Sequence, residues 1–175
     1  MRLLLLAFLS VLVVACATPW RDRLKAELPA LGHRNWIVIA DSAYPWQANA
    51  GIETIATDAT QLEVVRAVLA AVDASVHVRP AVYLDAELAH VSEADAPGIE
   101  AYRRALTALL GARPVQRELA HEQVIARLDQ DAALYRVLIL KTNLALPYTS
   151  VFVRLECGYW SAEAEQRLRA ALGAK

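Results

Sequence analysis

The run Ile37-Val38-Ile39-Ala40 constrains the fold of this chain more than any other stretch. It is too short for a helix of ordinary length and shows no polar alternation, so both of its sides must be covered. That is the pattern of a strand inside a sheet with helices on both faces. A turn, Leu31-Gly32-His33-Arg34-Asn35, leads into it from Gly32, and Asp41 ends it. Ser42-Ala43-Tyr44-Pro45 then forms a loop in which Pro45 stops any regular continuation. His33 thus lies just before the strand and Asp41 just after it. A strand of a few residues holds its ends about 20 Å apart. One copy of the chain can bring the two groups together only if the loops fold back; otherwise a neighbouring copy supplies the other half.

The remaining elements alternate around that strand. Residues 20–28 read as a short helix with Leu24 and Leu28 at i and i+4, broken by Pro29 and Gly32. Thr60-Gln61-Leu62-Glu63 has the form of a capping box, followed by Leu62, Val65, Val68, Leu69 and Val72 on one apolar face up to Asp73. Residues 76–84 alternate and then turn apolar, a strand interrupted or bent at Pro80, with His77 on its polar phase. Residues 97–110 predict a helix with Pro97 in its first turn and Gly111 at its end. A short strand over 114–119 leads to a helix opening at His121, with Val124, Ile125 and Leu128 inward. Residues 135–140 read as a central strand, 150–155 as its alternating partner, and 161–172 as a last helix burying Leu168 and Leu172. The expectation is an α/β fold: a single compact domain over 18–175, with a central mixed sheet flanked by helices and an additional helix at the C-terminal end.

Residues 1–15 stand apart from that domain. A single basic residue, Arg2, precedes an apolar run over 3–14 that is too short to span a bilayer and has the length of a signal peptide. Val13-Val14-Ala15-Cys16 resembles a bacterial lipobox, in which cleavage exposes a cysteine that becomes lipidated. This predicts a lipoprotein anchored through Cys16 in the cell envelope, and Ala17 in place of aspartate favours the outer membrane facing the periplasm. Read instead as a small-x-small site, Ala15-Cys16-Ala17 would release a soluble periplasmic or secreted protein. Acylated Cys16 leaves Cys157 without an intrachain partner. Cys157 is expected to be a small buried residue rather than a nucleophile. A net charge of -1 and a pI near 6.4 give no electrostatic footprint for nucleic acid.

Three places can carry chemistry. His121 stands at a helix N-terminus, where the partial positive charge disfavours imidazolium, so a neutral ring able to accept a proton is expected; taken alone, a capping or surface histidine is the commoner reading of such a position. Between the last two strands, the loop containing Pro147, Tyr148, Thr149 and Ser150 offers an aromatic face and small hydroxyl groups. That set suits a sugar, which stacks on its apolar ring face and hydrogen-bonds by its hydroxyls, although an ordinary turn has the same composition. Asp41 can serve a ligand or simply cap its loop.

Taken in order, Leu31-Gly32-His33, Ile37-Val38-Ile39-Ala40-Asp41 with Pro45, His121-Glu122-Gln123, and Pro147-Tyr148 before an apolar strand resemble the signatures of the D-ribose pyranase and L-fucose mutarotase family. The resemblance runs from Leu28 to Leu155. It implies a compact α/β subunit assembled into rings, pentamers stacked as decamers, with sites between neighbouring subunits. It also implies an isomerase that interconverts anomers or ring forms of a monosaccharide without metal or cofactor. By resemblance, His33 is the acid/base group at the anomeric centre, Asp41 accepts sugar hydroxyls or orients that imidazole, and His121 is a second polar contact or proton carrier. Tyr148 binds or stacks on the sugar, with Ser150 beside it. The chain departs from the family where Tyr148-Thr149-Ser150 replaces Tyr-x-Asn and where Asn143-Leu144-Ala145 lacks the usual acidic residue. The last helix and the leader are further additions. These departures keep open a second expectation, a non-catalytic, lipid-anchored sugar-binding or scaffold protein with the same fold.

Overall fold

The computed structural model describes residues 19–117 and 119–173; the leader and the expected lipidation site Cys16 lie outside them. Six strands form one mixed sheet in the order β2-β5-β1-β6-β3-β4. They are β1 (Trp36–Ala40), β2 (Ile52–Ala56), β3 (Val78–Leu84), β4 (Val115–Gln116), β5 (Val137–Lys141) and β6 (Val151–Cys157). β1 runs parallel to β5 and antiparallel to β6, and β3 is antiparallel to β6 on its other side. Five strands therefore point one way and β6 alone the other. Every residue of β1 is fully buried, as its unbroken apolar run requires.

The two faces are covered unequally. Ile37 and Ile39 pack into a large core with α1 (Pro19–Glu27), α2 (Gln61–Asp73) and α3 (Ile99–Leu110). Trp36, Val38 and Ala40 point the opposite way, into a smaller core closed by Val124, Leu128 and Ala132 of α4 (His121–Ala132). Strand alternation thus divides one apolar run between two helical layers, the doubly covered arrangement read from the sequence.

Several local expectations need correction. β2 has no counterpart in the sequence reading; it is a five-residue edge strand that pairs only with β5 and carries polar Glu53 and Thr54. Gly51 lets it start there, because a Cβ would collide with the Ala132 carbonyl. β3 is neither broken nor bent out at Pro80: that residue faces Leu155 of β6, and β4 reaches only Val82 and Tyr83, so no ladder bond is asked of the missing N–H. α3 starts at Ile99 behind Gly98, whose φ of 97° is left-handed, leaving Pro97 outside the helix. Thr60 makes no side-chain cap bond, and Glu63 instead pairs with Arg21 at 2.8 Å. α5 (Ala162–Gly173) buries nothing: Leu168 and Leu172, expected inside, are 45% and 66% exposed. Cys157 is half-buried rather than buried.

Candidate active site at the carboxyl edge of the sheet

In an α/β sheet the crevice outside the carboxyl ends of the parallel strands is where ligands bind, because strand ends and helix N-termini converge there. Here that edge collects Asp41 after β1, Asp85 after β3, Lys141 at the end of β5 and, since β6 runs the other way, Ser150 at its start. The register sets Ile39 and Leu84 both opposite Val151. Ser150 therefore begins a strand flanked by the two carboxylates.

Asp41 is held by two bonds: the Ser150 hydroxyl donates to Oδ2 at 3.0 Å and the Ala43 backbone N–H to Oδ1 at 2.9 Å. Asp85 has a fully buried side chain whose Oδ2 accepts from Nδ1 of His121 at 2.9 Å. Its other oxygen, Oδ1, has no partner among the described residues. Burial pushes the Asp85 carboxyl above its ordinary range, and the His121 bond only partly offsets this.

His121 opens α4, as expected, but its charge preference is the reverse of the sequence reading. Its pKa is raised, first by the hydrogen bond to Asp85, with burial opposing. The helix terminus does not prevail because both oxygens of Glu87 accept the His121 backbone N–H, at 3.0 and 3.1 Å, and so neutralise the exposed dipole. With Nδ1–H committed to Asp85, the neutral ring carries its lone pair on Nε2, on the far side of the imidazole. Tyr148 stands edge-on to that ring, 5.7 Å between centroids at 80°.

Tyr148 adopts a left-handed conformation, φ 56°, which costs a bulky residue about 1 kcal/mol or more. The Thr149 hydroxyl donates back to the Leu146 carbonyl at 2.8 Å and closes the turn around it. Tyr148 nevertheless stays 40% exposed. Beneath the site lies Tyr44, buried, with a hydroxyl that has no partner among the described residues and a pKa pushed upward by burial. The Lys141 ammonium donates to the Tyr44 carbonyl at 2.7 Å.

Four of the five sequence-chosen residues, Asp41, His121, Tyr148 and Ser150, therefore share one edge. His33 does not. It is exposed before β1, at the opposite end of the sheet, where the neighbouring Arg34 N–H bonds to the Leu155 carbonyl of β6 at 2.8 Å. Within one copy it cannot meet Asp41, so Asp41 does not orient the imidazole of its own copy. Asp85 is the residue the sequence reading missed, although a signal existed: Val82-Tyr83-Leu84-Asp85 repeats the apolar-strand-then-aspartate pattern of β1 and Asp41. His77 faces inward in part, its Nε2 3.1 Å from the Leu31 carbonyl. Among the described residues, no group of three or more His, Cys, Asp or Glu side chains is placed to hold a metal ion.

No family model matches the chain. No curated protein sequence matches it either. Solved structures do. RbsD of Bacillus subtilis, complexed with D-ribose, superposes with a TM-score of 0.52 at 18% identity, covering 76% of this chain and 90% of that one. The fucose mutarotase of Streptococcus pneumoniae, in complex with L-fucose, gives 0.48 at 20% identity over 76% and 89%. FucU of Bifidobacterium longum gives 0.49 at 18% over 76% and 92%. The likeness to RbsD shows a shared fold: a six-stranded mixed sheet flanked by helices.

Proposed function

We infer that this protein is a sugar mutarotase or pyranase, interconverting anomers or ring forms of a monosaccharide by histidine acid/base chemistry without a cofactor. The observation that carries the reading is the His121–Asp85 pair beside an exposed, conformationally constrained tyrosine at the carboxyl edge of a fold shared with a ribose-bound protein. Opening a pyranose removes the proton from the anomeric hydroxyl, forms the C1 carbonyl and breaks the bond from C1 to the ring oxygen, which gains a proton. Rotation and reclosure then give the other anomer, or another ring size. An imidazole with Nδ1–H anchored on a carboxylate can take and return such a proton through Nε2. Tyr148 offers the ring face for stacking, and Asp41 offers carboxylate oxygens to hydroxyl groups.

His33 enters this proposal from a second copy of the chain. Its distance from Asp41 across β1 supports that, and the reading therefore includes a homo-oligomeric ring with sites at subunit boundaries. The export reading of residues 1–15, with lipidated Cys16 in the envelope, belongs to the same proposal and rests on the leader sequence alone. One observation favours a second reading, a sugar-binding protein without turnover: the Ser150 hydroxyl, standing where the family carries an amide, is spent on Asp41 instead of facing a ligand.

Saturation-transfer NMR on a panel of aldoses, ribose and fucose included, separates the two. Accelerated exchange between anomers is expected for at least one sugar. Saturable binding with exchange no faster than in buffer would establish the second reading, and neither binding nor exchange across the panel would remove both.

A further inference from the structure

Gln61, the first residue of α2, is 2% exposed, and its whole amide is engaged. Nε2 donates to the Ile39 carbonyl at 3.0 Å and to the Thr149 carbonyl at 2.8 Å, while Oε1 accepts from the Thr142 hydroxyl. Tyr102 of α3 donates a second bond to the same Thr149 carbonyl, at 2.7 Å. The Thr142 backbone N–H bonds to the Ala40 carbonyl at 2.8 Å, so the end of β5 joins the cluster too.

The positions of those carbonyls matter. Ile39 stands two residues before Asp41. Thr149 lies between Tyr148 and Ser150, so its carbonyl fixes the peptide that follows the left-handed tyrosine. We propose that Gln61 is the positioning residue of the candidate site, stapling the Asp41 end of β1 to the Tyr148–Ser150 turn so that the tyrosine meets His121. An amide suits the place because it donates to two carbonyls and accepts from a hydroxyl at once, joining β1, β5 and the turn before β6, and no other uncharged side chain of that length does both. A core residue at this place would satisfy packing but take the amide donor from the Ile39 and Thr149 carbonyls, leaving Thr149 to Tyr102 alone and the Thr142 hydroxyl to the Ala40 carbonyl at 3.0 Å. This role explains why the residue after a solvent-exposed Thr60 is a buried glutamine.

The role rests on the site described above, but its test does not need turnover. The edge-on Tyr148 ring shifts the His121 ring protons in NMR, and Tyr148→Leu gives their position without it. In Gln61→Met, nearly equal in length and unable to donate, those protons should move to the Tyr148→Leu position. The Trp36 indole N–H, bonded to Asp131 at 2.7 Å, should stay put and report an intact fold. Exchange kinetics on a responsive sugar should show KM rising on the order of tenfold, with kcat changed far less, the signature of a displaced binding face. His121 signals at their native positions in folded Gln61→Met would overturn the proposal. Should Gln61→Met fail to fold, Tyr102→Phe removes one of the two donors to Thr149: a partial move in the same direction supports the staple, and no move overturns it. A protein without exchange activity whose His121 signals respond as described would retain the staple and lose the mutarotase reading.

Discussion

At the residue scale, Asp85 decides the chemistry of His121. A free imidazole titrates near 6.5, and the bond to a buried carboxylate raises that value here. The neutral, proton-accepting ring is then the majority form only above the raised pKa. The acid limb of the exchange rate against pH should therefore lie above 6.5. Asp85→Asn keeps a side chain of the same size but removes the charge that favours imidazolium. The limb should then move to lower pH, while the rate on the plateau falls because the ring loses its fixed tautomer. A limb that stays in place would show that His121 is not the titrating group. The sign for stability follows from the same shift. Imidazolium in the folded state contributes stability below the unfolded pKa, and that contribution is lost as pH rises through the raised one. The same scale shows what a sequence can hide. His121, Tyr148 and Ser150 were readable because composition and element boundaries mark them. The Asp85–His121 bond joins residues 36 apart, brought together because the chain after β3 bonds through the Ala86 N–H to the Leu119 carbonyl just before α4.

At the scale of elements, periodicity revealed what burial enforces and little else. β1 and the apolar face of α2 were legible because both sides of one and one stripe of the other must leave water. β2 was not, since an edge strand with Glu53 and Thr54 carries no such demand. α5 errs in the opposite direction. Its Leu168 and Leu172 repeat at i and i+4 like a core helix, yet among the described residues nothing buries them. A helix without buried side chains adds little to the stability of the domain. A chain lacking residues 162–175 should keep its unfolding free energy in urea within about 0.5 kcal/mol of the full protein, the range of surface changes. A loss of about 2 kcal/mol or more would mean that α5 packs on the sheet in solution.

At the scale of the whole molecule, the length of β1 bears on assembly. β1 is fully buried and five residues long, and it holds His33 and Asp41 at opposite ends of the sheet. No rearrangement short of unfolding β1 reverses that. If both histidines serve one reaction, each site takes His33 from one copy and His121 from the next, and the two requirements can be separated genetically. His33→Ala and His121→Ala should each abolish sugar exchange. Unfolded together and refolded as an equal mixture, they should recover about a quarter of native activity, because that fraction of boundaries in a random ring joins an intact His33 to an intact His121. A site built within one copy predicts none, since every copy then lacks one group. The native protein must sediment as an oligomer for the experiment to apply. A stable monomer with full exchange activity would exclude the shared site and confine the chemistry to the His121–Asp85 edge.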